Sequence, residues 1–223
     1  MAEFSDRQVD EHLADLLLGD DTVLVETLRS SEEEGLPPIT VSALQGKLLE
    51  QLVAISGARR VLEIGTLGGY SAIHLARGLP EGGELITLEL DPHHGDVARA
   101  NLARAGLDQC STVLIGPGVE TLDRLIAEGA APFDLVFIDA DKQSYPLYLE
   151  RSLALSRPGT VLVFDNMVRQ GRILEAEPGD AAIEGTQHAL GLIGADPRLE
   201  ATAIQTVGAK GWDGFVLAVV RRS

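Results

Sequence analysis

Three short stretches of this chain concentrate the residue types that chemistry needs. The first is Val61-Leu62-Glu63-Ile64-Gly65-Thr66-Leu67-Gly68-Gly69-Tyr70-Ser71, an apolar run that enters a glycine turn and leaves it through a hydroxyl. The β-branched and apolar residues before Gly65 suit a strand covered on both faces, and the glycines allow positive φ and close approach of backbone to a ligand. Ser71 is placed to cap or open the next helix. Such a turn can hold a nucleotide-like cofactor. Glu89 ends the following apolar run, Leu85-Ile86-Thr87-Leu88-Glu89. An acid after the second strand of a doubly wound sheet takes ribose hydroxyls. The dinucleotide pattern G-x-G-x-x-G would need its second glycine at Leu67, which counts against an NAD-linked oxidoreductase.

The other two stretches are Phe133-Asp134-Leu135-Val136-Phe137-Ile138-Asp139-Ala140-Asp141-Lys142, followed by Tyr145 and Tyr148, and Val161-Leu162-Val163-Phe164-Asp165-Asn166. Both are apolar strands ending in acids. Ligands of an open parallel sheet bind outside the carboxyl ends of its strands, so Asp139, Asp165 and Asn166 should converge on one cleft. Two carboxylates and an amide oxygen form a hard, oxygen-only set that suits Mg²⁺, or Mn²⁺ or Ca²⁺ in its place. Acids that end strands also cap helices, and Asp-Asn is a common turn pair. Both pairs at one edge, beside the glycine turn, favour the ligand reading.

With Glu63 ahead of the first glycine, the turn resembles the E-x-G-x-x-x-G of S-adenosylmethionine-dependent methyltransferases. Taken with Glu89, Asp139-Ala140-Asp141-Lys142, Tyr145 and Asp165-Asn166 in order, the chain is similar to the cation-dependent class I O-methyltransferases. These are the caffeoyl-coenzyme A and catechol O-methyltransferase family, and the likeness to its small bacterial members runs from about Ile39 to the C-terminus. The resemblance implies that Glu63, Gly65 and Thr66 line the methionine and ribose side of the cofactor, and that Ser71 bonds its carboxylate. It further implies that Glu89 takes the ribose hydroxyls, that Val41 makes a backbone contact, and that Asp139, Asp141 and Tyr148 lie near the methionine end. Pro117 and Gly118 stand where the family often has Asp-Ala near the adenine. Asp139, Asp165 and Asn166 would hold the metal, and Lys142 would be the base. A lysine acting so needs a lowered pKa, which a nearby cation and partial burial supply. Its plainer role is a surface ion pair with Asp141 or Glu150.

The implied activity is methyl transfer to a hydroxyl of a catechol-like or vicinal-diol aromatic molecule. Arg169 stands three residues after Asn166, where the plant branch carries an aromatic residue. An acidic or strongly polar acceptor is one reading; a pair with Glu175 or Glu177 is the other. Trp212 either walls an aromatic substrate or packs in the core or a dimer. His93 and His94 follow Asp91-Pro92 at a helix start and read as solvated. A non-catalytic S-adenosylmethionine-binding protein would not need Asp139, Lys142, Asp165 and Asn166 together.

The elements that must position these residues follow from the patterning. Strands are predicted near 60 to 64, 84 to 89, 112 to 116, 133 to 138, 160 to 164, 201 to 206 and 214 to 221, the last two as an antiparallel hairpin around residues 207 to 214. Residues 42 to 56 read as an amphipathic helix with Leu44, Leu48, Leu52 and Ile55 on one face, and 168 to 185 as a loop over the site. The expected fold is α/β: a Rossmann-like, doubly wound, seven-stranded and mostly parallel sheet with a C-terminal antiparallel hairpin and helices on both faces. Residues 39 to 223 would form one domain and residues 1 to 38 a helical extension. Val9, Leu13, Leu16 and Leu17, then Val23, Leu24 and Leu28, mark two short helices there, expected to pack on the core or across a two-fold homodimer.

The 223 residues carry 34 acids against 18 bases, a formal charge of −16, which repels nucleic acid and anionic membranes. Apolar runs such as Phe215-Val216-Leu217-Ala218-Val219-Val220 are too short to span a bilayer. No signal peptide is expected at the start of the chain. The single cysteine, Cys110, excludes an internal disulfide, reads as a buried inert thiol and fits a reducing cytoplasm.

Overall fold

Strand β1 (Arg60–Ile64) buries Val61, Leu62, Glu63 and Ile64 on both its faces, as a central strand between two helical layers must. In the computed structural model, which describes residues 4–175 and 179–221, the other strands are β2 (Glu84–Glu89), β3 (Ser111–Ile115), β4 (Phe133–Ile138), β5 (Ser156–Phe164), β6 (Leu199–Thr206) and β7 (Asp213–Val220). The helices are α1 (Asp6–Leu17), α2 (Thr22–Glu33), α3 (Ala43–Ser56), α4 (Tyr70–Arg77), α5 (Pro92–Arg104), α6 (Gly118–Ala127), α7 (Tyr145–Ala154) and α8 (Ala181–Ala195). The described residues form a seven-stranded sheet in the order β3-β2-β1-β4-β5-β7-β6. β3 to β5 run parallel, and β7 returns antiparallel between β5 and β6.

Alternate residues of the strands feed two cores. Leu62, Ile64, Val136 and Ile138 meet Leu122 of α6, Tyr145 and Leu149 of α7 and Ile193 of α8. Val61, Leu135 and Phe137 meet Leu49 and Val53 of α3, Ile73 and Leu75 of α4 and Leu102 of α5. The reversal of strand order at β1 and β4 opens the crevice in which such sheets bind ligands. Register fixes what lies there. Ile64 pairs with Leu88 and with Ile138, and Ile138 with Phe164, so Gly65, Glu89, Asp139 and Asp165 each follow directly at the same edge.

The predicted face of α3 is rotated from the observed one. Ile55 is 83% exposed, and the buried ridge is Gly46, Leu49 and Val53. The reason is a close crossing on α4: a Cβ on Gly46 would stand 2.4 Å from His74 Cδ2, so the smallest residue, not a leucine, faces the neighbour. The segment predicted as a loop from 168 to 185 is shorter, because α8 begins at Ala181 with Asp180 accepting from Ile183 N at 3.2 Å. A 3-10 turn, Arg169–Leu174, occupies its first half. Ser5 and Gln8 form a capping box on α1, yet α1 buries no residue. Among the described residues no helix is long and apolar enough to cross a membrane.

Candidate active site

The strand edge opens into a cavity of about 900 Å³ lined by Val41, Gly65, Thr66, Ser71, Glu89, Pro117, Gly118, Asp139, Asp141, Lys142, Tyr148, Asn166 and Arg169, with other residues between them. These positions lie far apart in sequence and are brought together by the strand register described above. The glycine turn does what its composition suggests. Gly65 sits at φ 102°, and a Cβ there would stand 2.2 Å from the Asp139 carbonyl, so only glycine lets β1 turn against β4. α4 opens at Tyr70, one residue before Ser71, with Gly69 as its cap.

Glu89 organises the turn from across the cleft. Its Oε2 accepts from Thr66 N at 3.2 Å and Leu67 N at 2.7 Å, while Oε1 accepts from Asp91 N at 3.0 Å. Glu63 lies behind the wall and does not line the cavity. It is fully buried, accepting from Ser71 Oγ at 2.5 Å and Thr87 Oγ1 at 2.6 Å. Burial pushes its carboxyl up to about 8, against those two hydrogen bonds. Ser71 therefore bridges the cavity and this buried acid.

At the other end Lys142, 9% exposed, donates from Nζ to Asp139 Oδ1 at 2.7 Å, with the Tyr145 ring 5.0 Å beneath it. Its partner is neither Asp141 nor Glu150, the surface pairs considered from sequence. Asp141 instead accepts from Tyr148 OH at 2.5 Å; burial and that carboxylate raise the Tyr148 pKa. Gly118 lets the tyrosine close in, since a Cβ there would stand 2.9 Å from its hydroxyl. Tyr145 OH donates to Asp165 O at 2.9 Å and to Ile138 O at 3.2 Å, tying the ends of β4 and β5 together.

Asp165 is buried and does not itself line the cavity; its Oδ1 accepts from the cavity-lining Asn166 N at 2.8 Å. Burial and then the charge of Asp139 push its carboxyl up, opposed by its hydrogen bonds from Asn166 and Gln45 and by Lys142. The charge of Asp139 beside the buried Asp165 leaves negative charge to be neutralised, and with Asn166 the two carboxylates present only oxygen ligands. Such a set fits a hard divalent cation. Among the described residues no group of three or more His, Cys, Asp or Glu side chains forms a metal cluster, so the set rests on the amide as its third member.

Two further residues were misread or missed in the sequence. His94 lines the cavity with Nδ1 3.7 Å from Glu89 Oε1, whereas His93 is exposed as expected. Gln45, on α3, helps to hold the Asp165 carboxyl down, an influence no spacing rule reveals. Arg169 lines the cavity and makes no pair with Glu175, while Glu177 lies outside the described residues. Trp212 is not part of the cavity wall: its ring lies 3.0 Å from where a Gly171 Cβ would stand, and its Nε1 donates to Gln205 at 2.9 Å. Lys210 lines a neighbouring cavity and donates to Pro38 O at 3.3 Å, and Arg172 pairs with Asp180. Cys110 is half-buried, its thiol donating to Leu107 O at 3.3 Å.

Comparison with known proteins places this arrangement. The family model described as O-methyltransferase matches residues 12–220. A catechol O-methyltransferase of Mycobacterium tuberculosis is 51% identical over 213 residues, covering 96% of this chain and 95% of its own. The crystal structure of an O-methyltransferase from Bacillus cereus in complex with SAH superposes with a TM-score of 0.95 at 48% identity, over 97% of this chain and 98% of that one. The O-methyltransferase TomG from Streptomyces achromogenes, in complex with SAM, gives 0.93 at 41% identity over 97% of each chain. A strand edge bearing Gly65, Glu89, Asp139, Lys142, Asp165 and Asn166, and a family match over nearly the whole chain, lead to one conclusion: this protein belongs to the O-methyltransferase family.

Proposed function

We propose that this chain is an S-adenosylmethionine-dependent, divalent-cation-dependent O-methyltransferase that methylates one hydroxyl of a catechol-like or vicinal-diol aromatic molecule. The single observation that carries this reading is the contact of Lys142 Nζ with Asp139 Oδ1 at 2.7 Å, beside Asn166 in the wall of the glycine-turn cavity and Asp165 buried next to it. The SAH and SAM complexes of the Bacillus and Streptomyces relatives support the cofactor, and the catechol O-methyltransferase relative supports the acceptor class.

When bound, S-adenosylmethionine supplies an electrophilic sulfonium methyl, and a divalent cation lowers the pKa of a hydroxyl that it coordinates. The protein's part is positioning and proton handling. Glu89 accepts the ribose hydroxyls while its remaining bonds hold the Thr66–Leu67 turn, and Ser71 and the Val41 backbone receive the amino-acid end. Pro117, Gly118 and His94 enclose the adenine side. Asp139, Asp165 and Asn166 hold the cation, with Gln45 and Tyr145 fixing the Asp165 side chain and backbone. Lys142 takes the proton of the attacking hydroxyl or stabilises its oxyanion. Adjacent hydroxyls, one to react and one to anchor, match such a set better than an isolated phenol. Residues 39 to 223 act as the catalytic unit and residues 1 to 38 as a helical extension, in a cytoplasmic homodimer.

The test is an acceptor series assayed by mass spectrometry with S-adenosylmethionine and Mg²⁺. Catechols should gain one methyl, and matched monophenols should react at least about 10²-fold more slowly, the scale of a lost positioning contact. Equal rates on both would overturn the vicinal-diol reading.

A further inference from the structure

We propose that Arg169 makes this site selective for aromatic acceptors carrying a carboxylate away from the reacting hydroxyls, such as dihydroxybenzoates and dihydroxycinnamates. The inference rests on the methyltransferase reading above and deepens it. Arg169 follows β5 and lines the same cavity as Asn166 and Lys142. Neighbouring strands are about 4.8 Å apart, so three strand spacings, roughly 14 Å, separate the end of β5 from the end of β2, which carries Glu89. Arg169 therefore belongs to the half of the cavity beyond the nucleotide, where the acceptor must lie.

Among the described residues its charge is unpaired. Lys142 is paired with Asp139 and Arg172 with Asp180, whereas Arg169 enters no ion pair among the described residues and its buried Nε has no hydrogen-bond partner there. A guanidinium stays charged at any working pH and presents a planar fork that matches a carboxylate with two parallel hydrogen bonds. A cation left unpaired among the described residues, bordering a site whose other charged groups are mostly acids, is an anion receptor, set apart from the carboxylates that would hold the metal.

The backbone holds Arg169 in this position. Arg169 and Gln170 have φ of 53° and 57°, a region that side chains other than glycine seldom adopt. Asp213 Oδ1 accepts from Val168 N at 3.1 Å and Arg169 N at 2.9 Å, and Gln170 N donates to Trp212 O at 3.2 Å. Such conformations persist where the surroundings enforce them, and they cluster at ligand clamps. The β7 end thus clamps the turn that carries the arginine.

The experiment measures kcat and KM at saturating S-adenosylmethionine and Mg²⁺ for 3,4-dihydroxybenzoate, its methyl ester and 3,4-dihydroxybenzylamine. Wild type should favour the carboxylate over the ester by about tenfold or more, as for one hydrogen bond to a charged group, chiefly through KM. The amine should be the poorest of the three. Arg169→Gln should abolish the preference while leaving the ester's constants within about twofold, and Arg169→Lys should restore part of it. A wild type that turns over carboxylate and ester equally overturns this inference alone, and needs no variant to fold. A uniform loss on all three acceptors in Arg169→Gln also overturns it, because that is the signature of a purely structural arginine. A wild type that methylates none of them overturns the proposed function and this inference with it.

Discussion

Lys142 reaches the site from the 3-10 turn after β4, nearly buried and bonded to Asp139. If it manages the acceptor's proton, Lys142→Ala should lower kcat by about 10²- to 10⁴-fold while cofactor affinity stays near wild type. Raising the pH should recover part of the loss, because the acceptor hydroxyl ionises more readily as protons become scarce. Superimposable pH profiles of kcat for wild type and variant would remove the lysine from the mechanism. Glu63 gives a second expectation at this scale, read in stability rather than rate. Its folded pKa of about 8 lies above the ordinary 4.5, so its buried neutral form is favoured. The stability it contributes to the ligand-free protein is complete below pH 4.5 and is lost as pH rises through 8, at no more than about 1.4 kcal/mol per pH unit. Glu63→Gln should flatten that part of the stability profile in urea unfolding at pH 5 to 8. An unchanged slope would show that the carboxyl is ionised in the fold.

Elements meet here with little room to spare, and α3 against α4 is the sharpest case. Gly46 faces His74 closely enough that its Cβ would fall 2.4 Å from Cδ2 and 2.6 Å from Nε2. His74 is itself buried and held by Glu50 at 3.2 Å, with its Nε2 unpartnered. Gly46→Ala should therefore destabilise by about 1 to 3 kcal/mol, the usual result of overpacking, with a lower urea midpoint and an unchanged slope. A midpoint equal to wild type would mean that the two helices slide apart freely. The periodicity of leucines in α3 pointed to a different face because burial at a crossing is decided by the partner helix, and His74 is invisible from within α3. By contrast, β1, β2 and β4 were legible to within a residue. Apolar runs ending in acids have few other ways to fold, and the acids stop the strands at one edge. His94 and Gln45 were not legible, since each acts through a residue far away in sequence, Glu89 or Asp165. The N-terminal helices were legible as helices, and Leu24 on α2 packs against the core as expected, whereas Val9, Leu13, Leu16 and Leu17 on α1 remain exposed.

The whole molecule is an acidic α/β sheet protein whose scarce bases are placed with purpose, at the site as Lys142 and Arg169 and elsewhere mostly in ion pairs. The exposed stripe on α1 is expected to be covered in a homodimer, so sedimentation should give twice the chain mass. Removing residues 1 to 36 should lower that mass or cause aggregation. A wild type that sediments as a monomer at micromolar concentration would end the dimer reading. Fold and family were legible because the strand-end residues carry both the topology and the chemistry. What the sequence could not reveal is which acids are solvated, since burial of Glu63 and Asp165 depends on the assembled sheet. The claim that joins all three scales is that Asp139, Asp165 and Asn166, gathered by the register of β4 and β5, hold a divalent cation needed for methyl transfer. Its most direct test is methylation of a catechol by S-adenosylmethionine in the presence of excess chelator, then with Mg²⁺ or Mn²⁺ restored, for wild type and for Asp165→Ala. Activity should vanish with chelator and return with metal in wild type, and Asp165→Ala should stay inactive while still binding the cofactor by calorimetry. Full turnover in excess chelator, or an Asp165→Ala variant as active as wild type, would contradict the account.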